Sequence, residues 1–272
     1  LHQQPATELY IYYLKGRVDT DSAPPAQEFL GNWEEDGYSF MFFSKPARAA
    51  VDILLKQNPR LTFLDEYHMS YDQWQGGKLA PMQVGDFTVV PPWYADQCPP
   101  TNHCILLDPG VVFGNGAHPT THACLKAVEM SYRHNGAETV LDLGTGTGLL
   151  ALAAARLGGR KIMAVDLNRL AAVTAARNVL LNGLEDRIIV LQADARDCLE
   201  RPSDLLIANL HFDVMSDIIG SRRFKRHREF ILSGLLRSAV QNAFLMLGQQ
   251  SCNIIKHWAD NGIWHTIYGR HR

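Results

Sequence analysis

The chain has 272 residues, room for one large domain or two small ones, and its 46% hydrophobic and 20% charged residues fit a soluble globular protein. A formal charge of −2 gives no general affinity for nucleic acid, and no run approaches the ~18 apolar residues of a membrane span. Five scattered cysteines with no C-x-x-C pair argue against a disulfide framework or a zinc site, and for free thiols in a reducing cytoplasm.

Leu1-His-Gln-Gln-Pro5 lacks the basic and apolar regions of a secretory signal; no initiator Met is present, which leaves upstream processing open. Glu8 to Leu14 reads as a strand, Asp19 to Pro25 as a loop, and Ala26 to Leu30 as a short helix. Gly31-Asn-Trp33 and Tyr38 to Phe43 flank Glu34-Glu-Asp-Gly37, and Asp-Gly between two aromatic runs predicts a hairpin. Lys45-Pro46 opens a helix to about Gln57, and Leu61 to Met69 is a strand. That order is the order of a small ferredoxin-like α+β unit.

Asp72 to Gly77 reads as a connector, Phe87 to Val90 as a short strand stopped by Pro91-Pro92, and Tyr94 to His103 as an ordered loop. These place a first domain at residues 1–72, a linker at 73–104 and a second domain at 105–272. Ile105 to Leu107 enters the second domain. The glycine-bearing loop Asp108 to His122 leads to a helix from about Thr121 to Tyr132. Strands are expected near 139–143, 161–166, 187–192, 203–209 and 229–233, with helices between them. Ser251 to Trp258 and Ile263 to Tyr268, joined through Asp260-Asn-Gly262, form a closing antiparallel pair and bring the sheet to seven strands.

Within that sheet, Val140 to Leu150 carries the chemistry. Apolar residues lead into Gly144, Gly146 and Gly148, and an Ala/Leu-rich helical run leaves them. The glycines permit a sharp turn and let a ligand lie against the main chain, at the free N–H groups of a helix start. The spacing is G-x-G-x-G with Leu149 next, not the G-x-G-x-x-G of a dinucleotide site. Asp142 would repel a pyrophosphate and suits a cationic or amine-bearing ligand. Asp166, at the end of the second strand, can grip both hydroxyls of a ribose. Asp194 and Ala195, after the third strand, stand where an adenine would lie.

Together these strand ends resemble the S-adenosylmethionine site of the class I, Rossmann-like methyltransferases. A closer resemblance covers residue 84 to the end. Asp108-Pro-Gly-x-x-Phe-Gly-x-Gly-x-His-Pro-Thr-Thr, Ala208-Asn-Leu210, Ile231-Leu-Ser-Gly-Leu-Leu236 and Ile263-Trp-His-Thr-Ile-Tyr268 are similar to segments of the PrmA-type methyltransferases. These modify lysines and the N-terminal amine of large-subunit ribosomal protein eleven. Phe113-Gly-Asn-Gly116 and Asp142-Leu-Gly-Thr-Gly146 depart mildly from that family's Phe-Gly-Thr-Gly and Asp-x-Gly-Cys-Gly. Residues 1–30 give no alignment.

The resemblance implies an S-adenosylmethionine-dependent protein N-methyltransferase, cytoplasmic, with a ribosomal protein as partner. It also implies that the first domain recognises the substrate. Asp142, Gly144, Thr145, Gly146 and Gly148 would take the methionine end, Asp166, Leu167 and Asn168 the ribose, and Asp194 and Ala195 the adenine. By resemblance, Phe113 and Thr120 would close over the cofactor and Asn209 would touch it and orient the nucleophile. Capping of the following helix is the competing reading of Asn209. His118 and His122 lie four apart, but Pro119 between them argues against a metal, and none is expected. Ser221-Arg-Arg-Phe-Lys-Arg-His-Arg228 is read as a solvated basic run on the substrate side of the sheet. Its alternative is a contact for a phosphate backbone. An RNA or small-molecule methyltransferase, or a cofactor-binding scaffold without turnover, are the rival functions.

Overall fold

The computed structural model describes residues 5–18 and 28–271, which separate into two compact units. The smaller holds the described residues up to Ala80 together with Gly110–Val112 and Asn168–Leu170. The larger holds Pro81–Pro109, Phe113–Leu167 and the described residues from Ala171 onward.

In the smaller unit, β1 (Glu8–Lys15), β2 (Phe29–Glu35), β3 (Tyr38–Phe43) and β4 (Thr62–Ser70) form an antiparallel sheet in the order β2-β3-β1-β4. Residue alternation divides its two faces. Tyr12, Leu14, Met41 and Phe43 pack on Val51 and Leu54 of helix α1 (Arg48–Gln57), while Leu9, Ile11 and Phe42 pack with Tyr71. Asp36 and Gly37 take φ of 50° and 83°, the left-handed pair a tight hairpin needs. The helix expected at Ala26 to Leu30 is corrected where it is described. Phe29 and Leu30 open β2, because the Phe29 ring packs on Phe43 at 5.2 Å; Ala26 and Gln27, like the loop from Asp19 to Pro25, lie outside the described residues. The connector expected from Asp72 begins as a short helix, α2 (Tyr71–Gln75). Ser70 Oγ accepts from Gln73 N–H at 3.1 Å and Gln73 Oε1 from Ser70 N–H at 2.8 Å, a capping box legible as Ser-x-x-Gln.

The larger unit opens with a three-stranded sheet of β5 (Met82–Val84), β6 (Phe87–Val90) and β7 (Cys104–Leu106). The chain leaves β6 through a 3-10 turn at Pro92–Gln97 and returns parallel to it as β7. The return brings Cys98 and Cys104 together as a disulfide with Cα atoms 5.9 Å apart. The free-thiol expectation is therefore corrected at these two positions; Cys124, Cys198 and Cys252 are free.

After α3 (Pro119–His134) the order is β8 (Thr139–Leu143), α4 (Leu149–Arg156), β9 (Lys161–Asp166), α5 (Arg169–Leu181), β10 (Ile188–Gln192) and β11 (Ser203–Asn209). Then come α6 (Phe212–Gly220), β12 (His227–Leu236), α7 (Arg237–Gln249), β13 (Cys252–Asp260) and β14 (Trp264–His271). Among the described residues these strands form one sheet in the order β10-β9-β8-β11-β12-β14-β13, parallel except for β14, which is antiparallel to both neighbours. Leu125, Val128, Leu152 and Val179 cover one face; Met215, Ile218, Val240 and Leu247 cover the other. Burial on both faces explains the unbroken apolar runs Leu205–Ala208 and Phe230–Leu232. From β8 the chain steps outward through β9 to β10, then crosses back to place β11 on the other side of β8. The carboxyl ends of β8 and β11 are thus the topological switch point, where open parallel sheets bind their ligands.

Candidate functional site

Gly144, Gly146 and Gly148 follow β8 with φ of 70°, 56° and 86°, a left-handed region costly for other residues. Gly144 and Thr145 donate backbone N–H to Val165 O at 2.8 and 2.9 Å, which holds the turn against β9. A Cβ on Gly144 would collide with the Leu210 side chain, and one on Gly146 would stand 3.0 Å from Phe113 O. Gly148 instead allows helix packing, since a Cβ there would sit 3.2 Å from Ala175 Cβ of α5. The preceding loop is anchored to the turn. Thr147 Oγ1 donates to Gly114 O at 2.7 Å, and Asn178 Nδ2 donates to Asp108 O and Thr147 O, both at 2.9 Å. Phe113, beside the first anchor, is 63% exposed.

Asp142 lies beneath the turn, 1% exposed. Its Oδ2 accepts from Thr145 Oγ1 at 2.6 Å. Burial pushes its carboxyl up to about 7 against the pull of hydrogen bonds from Thr145 and the Ala151 N–H. A cation above the turn would favour its ionised form.

The other strand ends divide. Asp166 Oδ2 accepts from Gly146 N–H at 2.9 Å, which couples the end of β9 to the glycine turn. Leu167 follows it, exposed, its carbonyl 3.4 Å from Gln192 Nε2. Asn168 belongs to the smaller unit: Nδ2 donates to Glu34 O at 3.1 Å and Oδ1 accepts from Leu170 N–H at 2.9 Å. Asp194 caps the 3-10 turn Ala195–Glu200, and Arg196 holds its two oxygens at 2.9 and 2.7 Å, which lowers the carboxyl's pKa. Ala195 is buried behind it.

Across the switch point, Asn209 ends β11, half-buried. Its Nδ2 donates to Thr120 Oγ1 at 3.4 Å, and among the described residues its Oδ1 accepts from none. Thr120 is itself buried, in the first turn of α3, and its hydroxyl lies 2.7 Å from His118 Nδ1. His118 is the N-cap of α3, which starts at Pro119, two residues before the expected Thr121, and it accepts from Thr120 N–H at 3.3 Å. The Trp264 ring meets the His118 ring edge-on, centroids 5.0 Å apart. Gly234, at φ 80° where the β12–β14 register shifts, lets Asn209 and Leu210 approach the β12 main chain closely. A Cβ there would stand 2.7 Å from Leu210 O and 3.2 Å from Asn209 Oδ1.

The sequence alone assigns His118, Gly234 and Trp264 no part in this site. The signal for Gly234 is a glycine inside a strand, which marks a bulge or a close approach. For His118 the sequence offers only metal spacing, yet no group of three His, Cys, Asp or Glu side chains among the described residues could hold a metal. The basic run is not on the side expected for it. Arg222–Arg226 precedes β12, whose first residue His227 pairs with Ser203 at the start of β11, so the run lies at the amino edge, opposite Asn209. Closeness to Asn209 in sequence misleads because α6 carries the chain back across the sheet. Glu200 pairs with Arg223 and Arg226, and Asp204 with Arg228.

Comparison with known proteins shows the family. A ribosomal protein L11 methyltransferase of Bacillus cytotoxicus is 40% identical over 161 residues, spanning 57% of this chain and 51% of the relative. One from Desulfitobacterium hafniense is 35% identical over 193 residues, spanning 70% of this chain and 61% of the relative. The chain thus matches only about half to three-fifths of the length of these relatives. The crystal structure of a ribosomal protein L11 methylase from Lactobacillus delbrueckii subsp. bulgaricus superposes with a TM-score of 0.63 at 26% identity, over 71% of this chain and all of that one. The family model described as ribosomal protein L11 methyltransferase (PrmA) matches residues 54–272, and the chain belongs to that family.

Proposed function

We propose that this protein transfers a methyl group from S-adenosylmethionine to lysine or α-amino groups of a ribosomal protein, in the cytoplasm. The observation that carries the reading is Asn209, whose acceptor oxygen is unserved at the switch point, one strand from the glycine turn and Asp142. The residues present suit the cofactor. Three left-handed glycines leave the turn without side chains, an acid stands at the end of β9, and a buried carboxyl at about 7 lies where a cation would stabilise its ionised form.

When bound, S-adenosylmethionine supplies an electrophilic methyl group on a sulfonium. Gly144, Thr145, Gly146, Gly148 and Asp142 take its methionine end, and Asp166 and Leu167 its ribose. Asp194 and Ala195 flank its adenine, and Phe113 and Thr120 border it. Asn168 is withdrawn from the set because its amide is already engaged at both ends. An amine attacks with its lone pair, so its N–H groups must be held by acceptors. Asn209 Oδ1 is such an acceptor, fixed in position before the amine arrives. The sheet of the larger unit fits the seven-stranded class I methyltransferase arrangement, with residues 105–272 carrying the chemistry. The strand order of the smaller unit fits a ferredoxin-like fold, with residues 1–72 carrying substrate recognition; most of the expected linker 73–104 instead belongs to the larger unit, as β5, β6 and the start of β7.

Labelled S-adenosylmethionine incubated with the protein and ribosomal extract tests the reading. Label in one small ribosomal protein is expected; label released by nuclease, or none, overturns it. In the same assay Asn209→Ala should lower turnover about 100-fold while cofactor affinity changes less than about threefold. Unchanged turnover would remove Asn209 from the reaction.

A further inference from the structure

We propose that His118 is a positioning residue. Through Thr120 it sets the direction of a hydrogen-bond chain that turns the oxygen of the Asn209 amide, not its nitrogen, toward the acceptor amine. The proposal rests on the reading of Asn209 given above.

The direction follows from one atom. His118 Nδ1 accepts the Thr120 backbone N–H at 3.3 Å as the cap of α3. A ring nitrogen that accepts from an N–H carries no proton, so the ring is neutral with its hydrogen on Nε2. The same Nδ1 lies 2.7 Å from Thr120 Oγ1. With no proton on the nitrogen, the hydroxyl must be the donor. Thr120 Oγ1 then has only lone pairs to offer Asn209, and the amide group facing it must be the donor, Nδ2, at 3.4 Å. Asn209 Oδ1 is left on the other side, where a Cβ on Gly234 would stand 3.2 Å from it.

Reversal of the first link reverses all of them. A proton on Nδ1 would remove the cap and donate to Thr120, whose hydroxyl would turn its hydrogen to Asn209. The amide would rotate to accept it and present NH2 to the amine. Burial of Thr120 keeps water from serving its hydroxyl instead, and the edge-on ring of Trp264 restricts rotation of His118. Helix capping and orientation of the nucleophile's partner are therefore one arrangement.

Nitrogen-15 NMR of the free protein, with the His118 resonances assigned by their loss in H118N, reads the tautomer directly. The expected result is hydrogen on Nε2 at neutral pH. Hydrogen on Nδ1 overturns the proposal whether or not the protein transfers methyl groups, so a failure of the chain is distinguishable from a failure of the methyltransferase reading. Kinetics supply the second test. His118→Ala should lower turnover about tenfold or more, with cofactor Kd and acceptor KM held within about threefold. His118→Asn should recover most of the loss, because asparagine is a favoured N-cap whose oxygen accepts from both Thr120 donors. Wild-type turnover in His118→Ala, no recovery in His118→Asn, or a cofactor Kd that weakens in step with turnover would each overturn the proposal.

Discussion

The two edges of the seven-stranded sheet handle polar groups in opposite ways. At the amino edge the acids are answered within the protein. Glu229, fully buried at the start of β12, accepts from Ser131 Oγ at 2.6 Å, Asn135 Nδ2 at 2.6 Å and Tyr268 Oη at 2.8 Å. Asp204 accepts from the backbone N–H groups of Glu138 and Thr139 and from the Thr139 hydroxyl. At the carboxyl edge the groups are oriented but not exhausted. Asn209 keeps an acceptor, and Asp142 is buried with no cationic partner among the described residues. A closed network stabilises a fold. An oriented one leaves an acceptor that a ligand can use.

The sharpest way to break this contrast is to damage the closed network. Glu229→Ala leaves three donors without their acceptor, each worth roughly 1–3 kcal/mol when buried. Loss of about 3–5 kcal/mol is expected, a fall in Tm of roughly 10 °C. Asn209→Ala, followed by the same thermal scan, should shift Tm by less than about 3 °C, a change of at most ~1 kcal/mol. Equal losses of stability at the two positions would erase the distinction. Next in size is Asp166→Ala, which removes the acid proposed to hold the ribose and its bond to Gly146 N–H. Titration calorimetry should show cofactor affinity weakened about 100-fold, or ~2.7 kcal/mol, with the fold intact; retained affinity would refute the ribose assignment.

Asp142→Asn examines the carboxyl edge through pH. In the free protein the carboxyl titrates at about 7 against an ordinary 3.8. The folded state therefore holds the proton more tightly than the unfolded chain does. This group's contribution to stability is complete below the unfolded value and declines as pH rises from about 4 to 7. A cationic cofactor prefers the ionised form, so affinity should rise about tenfold between pH 6 and pH 8. In Asp142→Asn the rise should vanish. A rise that persists would show that Asp142 does not sense the ligand.

The two edges were not equally legible in the sequence. Strands and the glycine turn announce themselves locally, through apolar runs and three glycines at alternate positions, and Asn209 could be placed because it ends such a run. What sequence could not convey was the direction of each polar group. Asp142 is buried beneath its turn, Asn168 reaches Glu34 across 134 positions, and Cys98 meets Cys104 only because β7 returns beside β6. His118 shows why. Its spacing to His122 invited a question about metals, but its function depends on what Nδ1 accepts, which is decided by the start of α3. The amino-edge network was invisible for the same reason: Ser131 and Glu229 lie 98 positions apart.

The smallest expected effect tests whether the amino edge takes any part in catalysis. Arg223 pairs with Glu200 in solvent, the two side chains 52% and 56% exposed, and such pairs contribute about 0–1 kcal/mol. The seven residues of β11, at roughly 3.3 Å per residue, put the basic run about 20 Å from Asn209. Arg223→Ala should therefore leave turnover within about twofold and stability within ~0.5 kcal/mol, with no change in the salt dependence of the reaction. A tenfold loss of turnover at low salt that shrinks as salt rises would mean that an acidic partner docks at the amino edge. The closed side of the sheet would then be a second working surface, reached by the partner across the full length of the strands.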